Sequence, residues 1–222
     1  MKKKVFMFFA VAAVLAVVGN TTIWGQGEPT TADDFVARGM WYQEREDDDR
    51  AIADFTQAMR LDPNHYTAYL VRGISYSFKR DNDRAIADLT QALRLAPNSD
   101  LTVRSSAYFR RGEVYASIGD LDRAIADFNE AIRLDPNLAA AYNRRGIAYY
   151  SKKDYERANT DFSAVLRIWP NYKPALLNRG YSYYDQKDYT RAIADFETVL
   201  RIDPNDANAK QWLDAARQAR GR

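Results

Sequence analysis

The sequence predicts an all-α fold made of one helical hairpin repeated five times, and three observations predict it. Gly39, Gly73, Gly112, Gly146 and Gly180 recur every 34 residues, except for a gap of 39 between Gly73 and Gly112. Asp47, Asp81, Asp120, Asp154 and Asp188 form a second column, placed where each second helix should begin and able to accept its free backbone N–H groups. Pro63, Pro97, Pro136, Pro170 and Pro204 form a third, placed where that helix should stop. Proline cannot donate the N–H a continuing helix needs, and it disfavours helical geometry in the residue before it.

Residues 1–27 stand apart from this pattern. Lys2, Lys3 and Lys4 precede an uncharged apolar stretch from Val5 to Gly19, and Asn20, Thr21 and Thr22 follow. A charged start, an apolar middle and small residues at Gly25 and Gly27 read as a secretory signal peptide, removed on export. The alternative is an uncleaved anchor, since no charge appears from Val5 to Gly27 and a bilayer span takes about 20 residues. The strongly apolar part is shorter than that span and ends in polar residues, which favours cleavage. No cysteine follows, so lipid attachment through an N-terminal cysteine is excluded. Cleavage would remove three lysines and no acid, moving the formal charge from +2 to −1. A near-neutral mature chain offers neither a nucleic-acid footprint nor a general attraction to a membrane surface. With 46% hydrophobic and 28% charged residues the chain can bury a core, and without cysteine that core must hold it together unaided.

A short linker is expected at residues 28–31, then repeats at 32–65, 66–99, 105–138, 139–172 and 173–206, with an insertion at 100–104. Glycine inside a helix costs about 1 kcal/mol relative to alanine, so its return in every repeat requires a packing gain. The expected gain is close contact with the small column Ala51, Ala85, Ala124, Ala158 and Ala192 of the second helix. Two larger columns would fill the space on either side: Tyr42, Tyr76, Tyr115, Tyr149 and Tyr183, and Phe55, Leu89, Phe128, Phe162 and Phe196. Ala58, Ala92, Ala131, Val165 and Val199 continue the buried face, and the asparagines after the prolines suit turns. Arg38, Arg72, Arg111, Arg145 and Arg179 predict a ladder of pairs with Asp54, Asp88, Asp127, Asp161 and Asp195. Arg50, Arg84, Arg123, Arg157 and Arg191, four residues before each Asp, compete for the same carboxylates. An exposed pair is worth about 0.2–1 kcal/mol, so the ladder is expected to tune stability.

These columns resemble the tetratricopeptide repeat, a helix-turn-helix unit of 34 residues, over about four fifths of the chain. The resemblance implies a right-handed α-solenoid of stacked units whose first helices line a concave surface, and a chain that binds another protein without catalysing a reaction. Ala209, Trp212, Leu213 and Ala216, at helical spacing after the fifth repeat, resemble the helix that caps such an array, here residues 207–222. At the other end Trp41 stands where later repeats have Ser75, Val114, Ala148 and Ser182. It either folds back over its own repeat or marks a self-association patch. The insertion is either a longer first helix or a change of curvature that divides the concave surface.

Little in the chain could carry catalysis. One histidine and no cysteine leave no material for the usual zinc sites or nucleophilic pairs, and His65 reads as a surface residue of a turn. The acidic groups at Asp47–Asp49, Asp81 with Asp83, and Asp120 with Asp122 lack the glycine and closing glutamate of a calcium loop. No cofactor or metal is expected. Some family members hold a carboxylate in a clamp of Lys, Asn, Asn, Lys and Arg. That pattern matches here only at single positions, such as Arg110 or Arg144.

What remains is the concave lining. In the first two repeats it would be apolar: Val36, Ala37, Met40, Leu70, Val71, Ile74 and Phe78. From the third onward, beside Phe109 and Leu177, the residues Arg110, Glu113, Asn143, Arg144, Ile147, Tyr150, Asn178, Tyr181 and Tyr184 mix charge, amide and aromatic groups suited to a peptide or protein partner. The resulting expectation is an exported adaptor that binds a peptide or helix of an envelope protein. The alternative is an assembly component of a transport or secretion complex acting through its ends. Replacing Arg144, Tyr181 and Tyr184 by alanine is expected to abolish binding with little loss of thermal stability.

Overall fold

The computed structural model describes residues 29–221, so the signal segment and its anchor alternative lie outside the described residues. Among those residues there are eleven α-helices and no strand, and no helix is long and apolar enough to cross a membrane. The chain forms two compact units that meet in sequence at Ile118 and Gly119. The first holds α1 (Ala32–Gln43), α2 (Asp48–Leu61), α3 (Tyr66–Phe78), α4 (Asn82–Leu95) and α5 (Leu101–Ser117). The second holds α6 (Leu121–Leu134), α7 (Ala139–Ser151), α8 (Tyr155–Ile168), α9 (Lys173–Asp185), α10 (Tyr189–Ile202) and α11 (Ala207–Arg220). In each unit consecutive helices pack as hairpins stacked in sequence order, the arrangement of an α-solenoid.

The second helices α2, α4, α6, α8 and α10 begin alike. Asp47, Asp81, Asp120, Asp154 and Asp188 accept the backbone N–H three residues on, at 3.0–3.3 Å. The arginine at that third residue also folds back onto the capping carboxylate, as Arg157 Nε does on Asp154 at 2.6 Å. Its guanidinium covers the tyrosine column: Arg84 lies 4.4 Å from the Tyr76 ring centre and Arg191 4.4 Å from that of Tyr183. The expected competition for the ladder carboxylates therefore does not occur, because the helix start captures these arginines first.

Where the first helices end, the chain turns through the left-handed region at Glu46, Arg80, Gly119, Lys153 and Lys187, one position per repeat. Only Gly119 there escapes the usual penalty on a side chain. The second helices run into turns in which Asp62, Asp135 and Asp203 accept the backbone N–H of Asn64, Asn137 and Asn205.

The helical glycines meet the larger column of the second helix before its alanines. A Cβ at Gly146 would lie 2.8 Å from Phe162 Cε1, and one at Gly180 2.6 Å from Phe196 Cε1. At Gly73 the neighbour is Leu89, with the Ala85 carbonyl behind it. The large side chain of the second helix, a ring in three of these repeats and Leu89 in the second, rests directly on the bare glycine, and Phe55, Leu89, Phe162 and Phe196 are fully buried. The alanines are buried too, packed with those rings in the core of each hairpin.

The ladder is present and more buried than an exposed pair. Arg38, Arg72, Arg145 and Arg179 each grip the aspartate sixteen residues on through two N–H···O bonds of 2.6–2.9 Å. The carboxylates of Asp54, Asp88, Asp161 and Asp195 are nearly excluded from solvent. A third N–H reaches back to the preceding repeat: Arg72 to Thr56, Arg111 to Thr90, Arg145 to Asn129 and Arg179 to Ser163. One guanidinium thus joins both helices of its own repeat to the second helix of the one before.

The extra residues of the third repeat extend its first helix. At 17 residues α5 is the longest; Asp100 caps it, and Arg104 donates to the Leu93 and Ala96 carbonyls that end α4. His65 is not simply a surface residue. Its Nδ1 accepts the Ala68 N–H at the start of α3, and its Nε2 lies 2.9 Å from Asp33 of α1, so the side chain is a helix cap that bridges two repeats.

Candidate functional site

In the first unit the expected apolar lining belongs to the core. Val36, Met40, Leu70, Val71 and Ile74 are all buried, and only Phe78 of the larger side chains stands out, 45% exposed. Arg110 and Glu113 sit on α5 one turn apart and pair with each other at 2.9 Å. An arginine already matched by its own acid loses most of its pull on an outside carboxylate.

In the second unit α9 lies between α7 and α11. The 34-residue period therefore sets equivalent positions side by side on neighbouring helices. Arg144 of α7, Asn178 of α9 and Trp212 of α11 hold one such position. Ile147 and Tyr181 hold the next, and Tyr150 and Tyr184 the one after. Seven of the nine expected site residues thus share one face of this unit: Asn143, Arg144, Ile147, Tyr150, Asn178, Tyr181 and Tyr184.

Aromatic contacts join the far end of that face. The Trp212 ring lies 5.1 Å from Tyr181 and 5.0 Å from Tyr184, edge-on to the latter, and Tyr184 also meets Tyr189 at 5.4 Å. Beneath them Tyr181 touches Phe196, whose ring rests on Gly180. Tyr181 and Tyr184 thus each spend part of a ring on the capping helix, and burial pushes the Tyr181 hydroxyl up from its ordinary pKa. The triple alanine variant would cut into this cluster, so it would change stability and binding together.

Tyr150 is held differently. Its hydroxyl donates to Asp185 Oδ2 at 2.6 Å, linking α7 to the end of α9, and its ring lies 5.7 Å from Tyr155. Burial first and the Asp185 carboxylate second raise its pKa, so it is a neutral donor at any physiological pH. Ile147 packs with Tyr149, Ala158 and Phe162. Arg144 is exposed, and Asn143 and Asn178 are half-buried.

Two members of this face were not among the expected site residues. Trp212 reads in the sequence as part of the cap, although its place 34 residues beyond Asn178 sets it in the same row. Asp185 carries no repeat signal, since its counterparts are Glu44, Phe78, Ser117 and Ser151. Among the described residues no cluster of acidic or histidine side chains could hold a metal ion. Trp41, at the opposite end of the chain, is covered from within its own repeat. Tyr42 meets its ring edge-on at 5.1 Å, and the Arg45 guanidinium lies 3.6 Å above it.

No curated protein sequence matches the chain. Among solved structures it is similar to YrrB, described as a protein of this repeat class with an unusual peptide-binding site. That match has 19% identity, a TM-score of 0.69, and 91% of this chain covering 96% of the other. It is similar to MamA from Desulfovibrio magneticus RS-1, at 19% identity and a TM-score of 0.72, over 82% of this chain and 99% of that one. PilW, a type IV pilus biogenesis factor, matches at 20% identity and a TM-score of 0.71, over 87% and 88% of the two chains. Likeness at this identity concerns the fold. The family profile described as tetratricopeptide repeat matches residues 36–100 and 143–207, and a second, described as TPR repeat, matches 112–153, so the chain belongs to the tetratricopeptide repeat family.

Proposed function

We propose that this chain is an exported, non-enzymatic adaptor that holds a peptide or helix of an envelope protein on the face formed by α7, α9 and α11. The observation that carries the reading is the row Arg144, Asn178 and Trp212, flanked by Ile147 with Tyr181 and by Tyr150 with Tyr184. An arginine, an amide and a bank of aromatic rings on neighbouring helices provide charge, backbone hydrogen bonding and contact area. YrrB, similar in fold, is described as binding peptide, which supports the same use here. Export rests on the signal-like character of residues 1–27. Recognition is an equilibrium, with no covalent step.

Because Tyr181 and Tyr184 also support the capping helix, the test uses Arg144→Ala with Asn178→Ala. Both versions of residues 28–222 are used to capture partners from a native envelope extract after reversible crosslinking. The expected result is a partner lost from the double variant while its melting temperature stays near that of the parent. A partner retained equally by both would move the site off this face.

A further inference from the structure

The fourth repeat breaks two columns that are apolar in all the others. Position 159 is Asn, whereas its counterparts are Ile52, Ile86, Ile125 and Ile193. Position 143 is Asn, whereas its counterparts are Val36, Leu70, Phe109 and Leu177. Both columns face the following repeat. Ile52 of α2 packs into the cluster built around Leu70, Ile74 and Leu89, and Ile193 of α10 packs against Leu213 and Ala216 of α11. Leu70 of α3 shares a cluster with Val103 and Ala107 of α5, and Leu177 of α9 packs beside Leu213. Asn143 and Asn159 therefore both point into the junction between α7–α8 and α9–α10. Each has a side-chain oxygen that is buried without a hydrogen-bond partner, and Asn159 as a whole is 8% exposed.

The turn that crosses this junction departs from the pattern as well. Trp169 replaces the turn aspartate found at Asp62, Asp135 and Asp203, as Ala96 does after the second repeat, and it is a large ring left 37% exposed. Tyr172 stands at the start of α9 without a side-chain cap, as Leu138 does at α7, where His65, Asp100 and Asp206 cap α3, α5 and α11. Among the contacts that cross the junction are the apolar packing of Val165 and Leu166 with Ala175, Leu176 and Tyr172, the charge of Arg144 beside the Tyr172 hydroxyl, the bond from Arg179 to Ser163, the long contact from Ser182 to the Tyr155 carbonyl, and Tyr150 donating to Asp185.

From this we infer that the junction between the fourth and fifth repeats is a built-in breaking point, at which Lys173–Arg220 detaches from α7 and α8 and unfolds as one cooperative unit, latched by the Tyr150–Asp185 bond. Opening gives both carboxamides access to water. Closure leaves their oxygens desolvated, which removes part of the free energy that would hold two ordinary repeats together. Stability in a repeat array is close to a sum of repeat and interface contributions, so one weak interface yields a discrete opening there. The breaking point stands whether or not the α7–α9–α11 face binds peptide.

Amide hydrogen exchange on the purified protein tests it. Protected amides of α9, α10 and α11 should exchange as one group, faster than those of α8. Asn159→Ile should slow that group by about 5- to 150-fold, the range expected from relieving one buried unpaired polar group, and leave α2 and α4 unchanged. Tyr150→Phe should speed it. Asn143→Leu carries the same expectation as Asn159→Ile and serves if that variant folds poorly. Exchange graded from α11 inward and unmoved by either asparagine variant would mean end fraying and rule out the breaking point, as would a slowing spread evenly over all helices.

Discussion

Arg145 grips Asp161 through two parallel bonds, Nε to Oδ2 at 2.8 Å and Nη2 to Oδ1 at 2.6 Å, with the carboxylate side chain only 2% exposed. A third bond from the same guanidinium, to Asn129, makes it a rivet between repeats. Planar fork geometry is what allows this, and lysine has none.

Arg145→Met would leave the Asp161 carboxylate buried and unmatched. The expected cost is about 3 kcal/mol, the lower end for an uncompensated buried charge. For a chain of this size that corresponds to a fall in Tm of about 6–12 °C. Arg157, itself exposed and paired with the half-buried Asp154, is the control, and Arg157→Met should leave Tm nearly unchanged. Equal effects of the two variants in a thermal melt would remove the distinction drawn between the ladder and the helix starts.

Gly146→Ala should already be destabilising, and Gly146→Leu by about 1–3 kcal/mol, because the new Cβ meets Phe162 at 2.8 Å and Asp161 Cβ at 3.2 Å. Neither neighbour is a flexible chain end, since Phe162 is fully buried and Asp161 is held by Arg145. Gly146→Leu with Phe162→Ala should recover part of the loss. No recovery in the double variant would show that the ring is not what excludes the side chain.

The repeat columns made most of the fold legible in the sequence, because a feature that returns in every unit separates itself from chance. The Asp column marked the five second-helix starts, and the Arg and Asp columns marked the ladder. Spacing alone did not show which partner each group chooses. The glycines were expected against the alanines, but the larger side chain from the next turn of the second helix meets them first. Arg157 and its equivalents were expected near the ladder, yet the capping carboxylate lies closer to them. At the candidate face, spacing placed seven residues together. It did not foretell that Trp212 would take up part of Tyr181 and Tyr184, because that depends on where the last helix comes to rest. Asn143 and Asn159 were visible as letters, but their burial was not.

Acid should unfold this protein through its helix starts. At Asp47 and Asp120 the backbone bond from the third residue, and at Asp81, Asp154 and Asp188 the arginine side chain, is the main reason the carboxyl sits below its ordinary range. A folded-state pKa below the unfolded value means that the unfolded chain binds more protons at low pH, so stability falls as pH falls. The contribution is complete above the unfolded value of about 3.9 and is lost as pH drops through the folded values. Tm should therefore hold steady from pH 8 to 5 and decline below about pH 4. Replacing the five capping aspartates by asparagine, which still caps, should flatten that decline. A Tm that stays constant down to pH 2 in the parent protein would contradict it.

Trp212→Ala should loosen the end of the array and the candidate face together. The indole contacts Tyr181, Tyr184 and Phe196 at once, and truncating a large, well-packed aromatic costs about 3–5 kcal/mol when it is fully buried. Trp212 is partly exposed, so the expected loss lies toward the bottom of that range. Its location should be specific. Amides of α10 and α11 lose protection, while those of α2 and α4 in the other unit keep theirs. A partner captured through the α7–α9–α11 face should weaken in this variant even though Arg144 and Asn178 are intact, because Tyr181 and Tyr184 no longer have a wall to lean on. Undiminished capture with a lowered Tm would show that the aromatic cluster serves the cap alone and that recognition rests on Arg144 and Asn178.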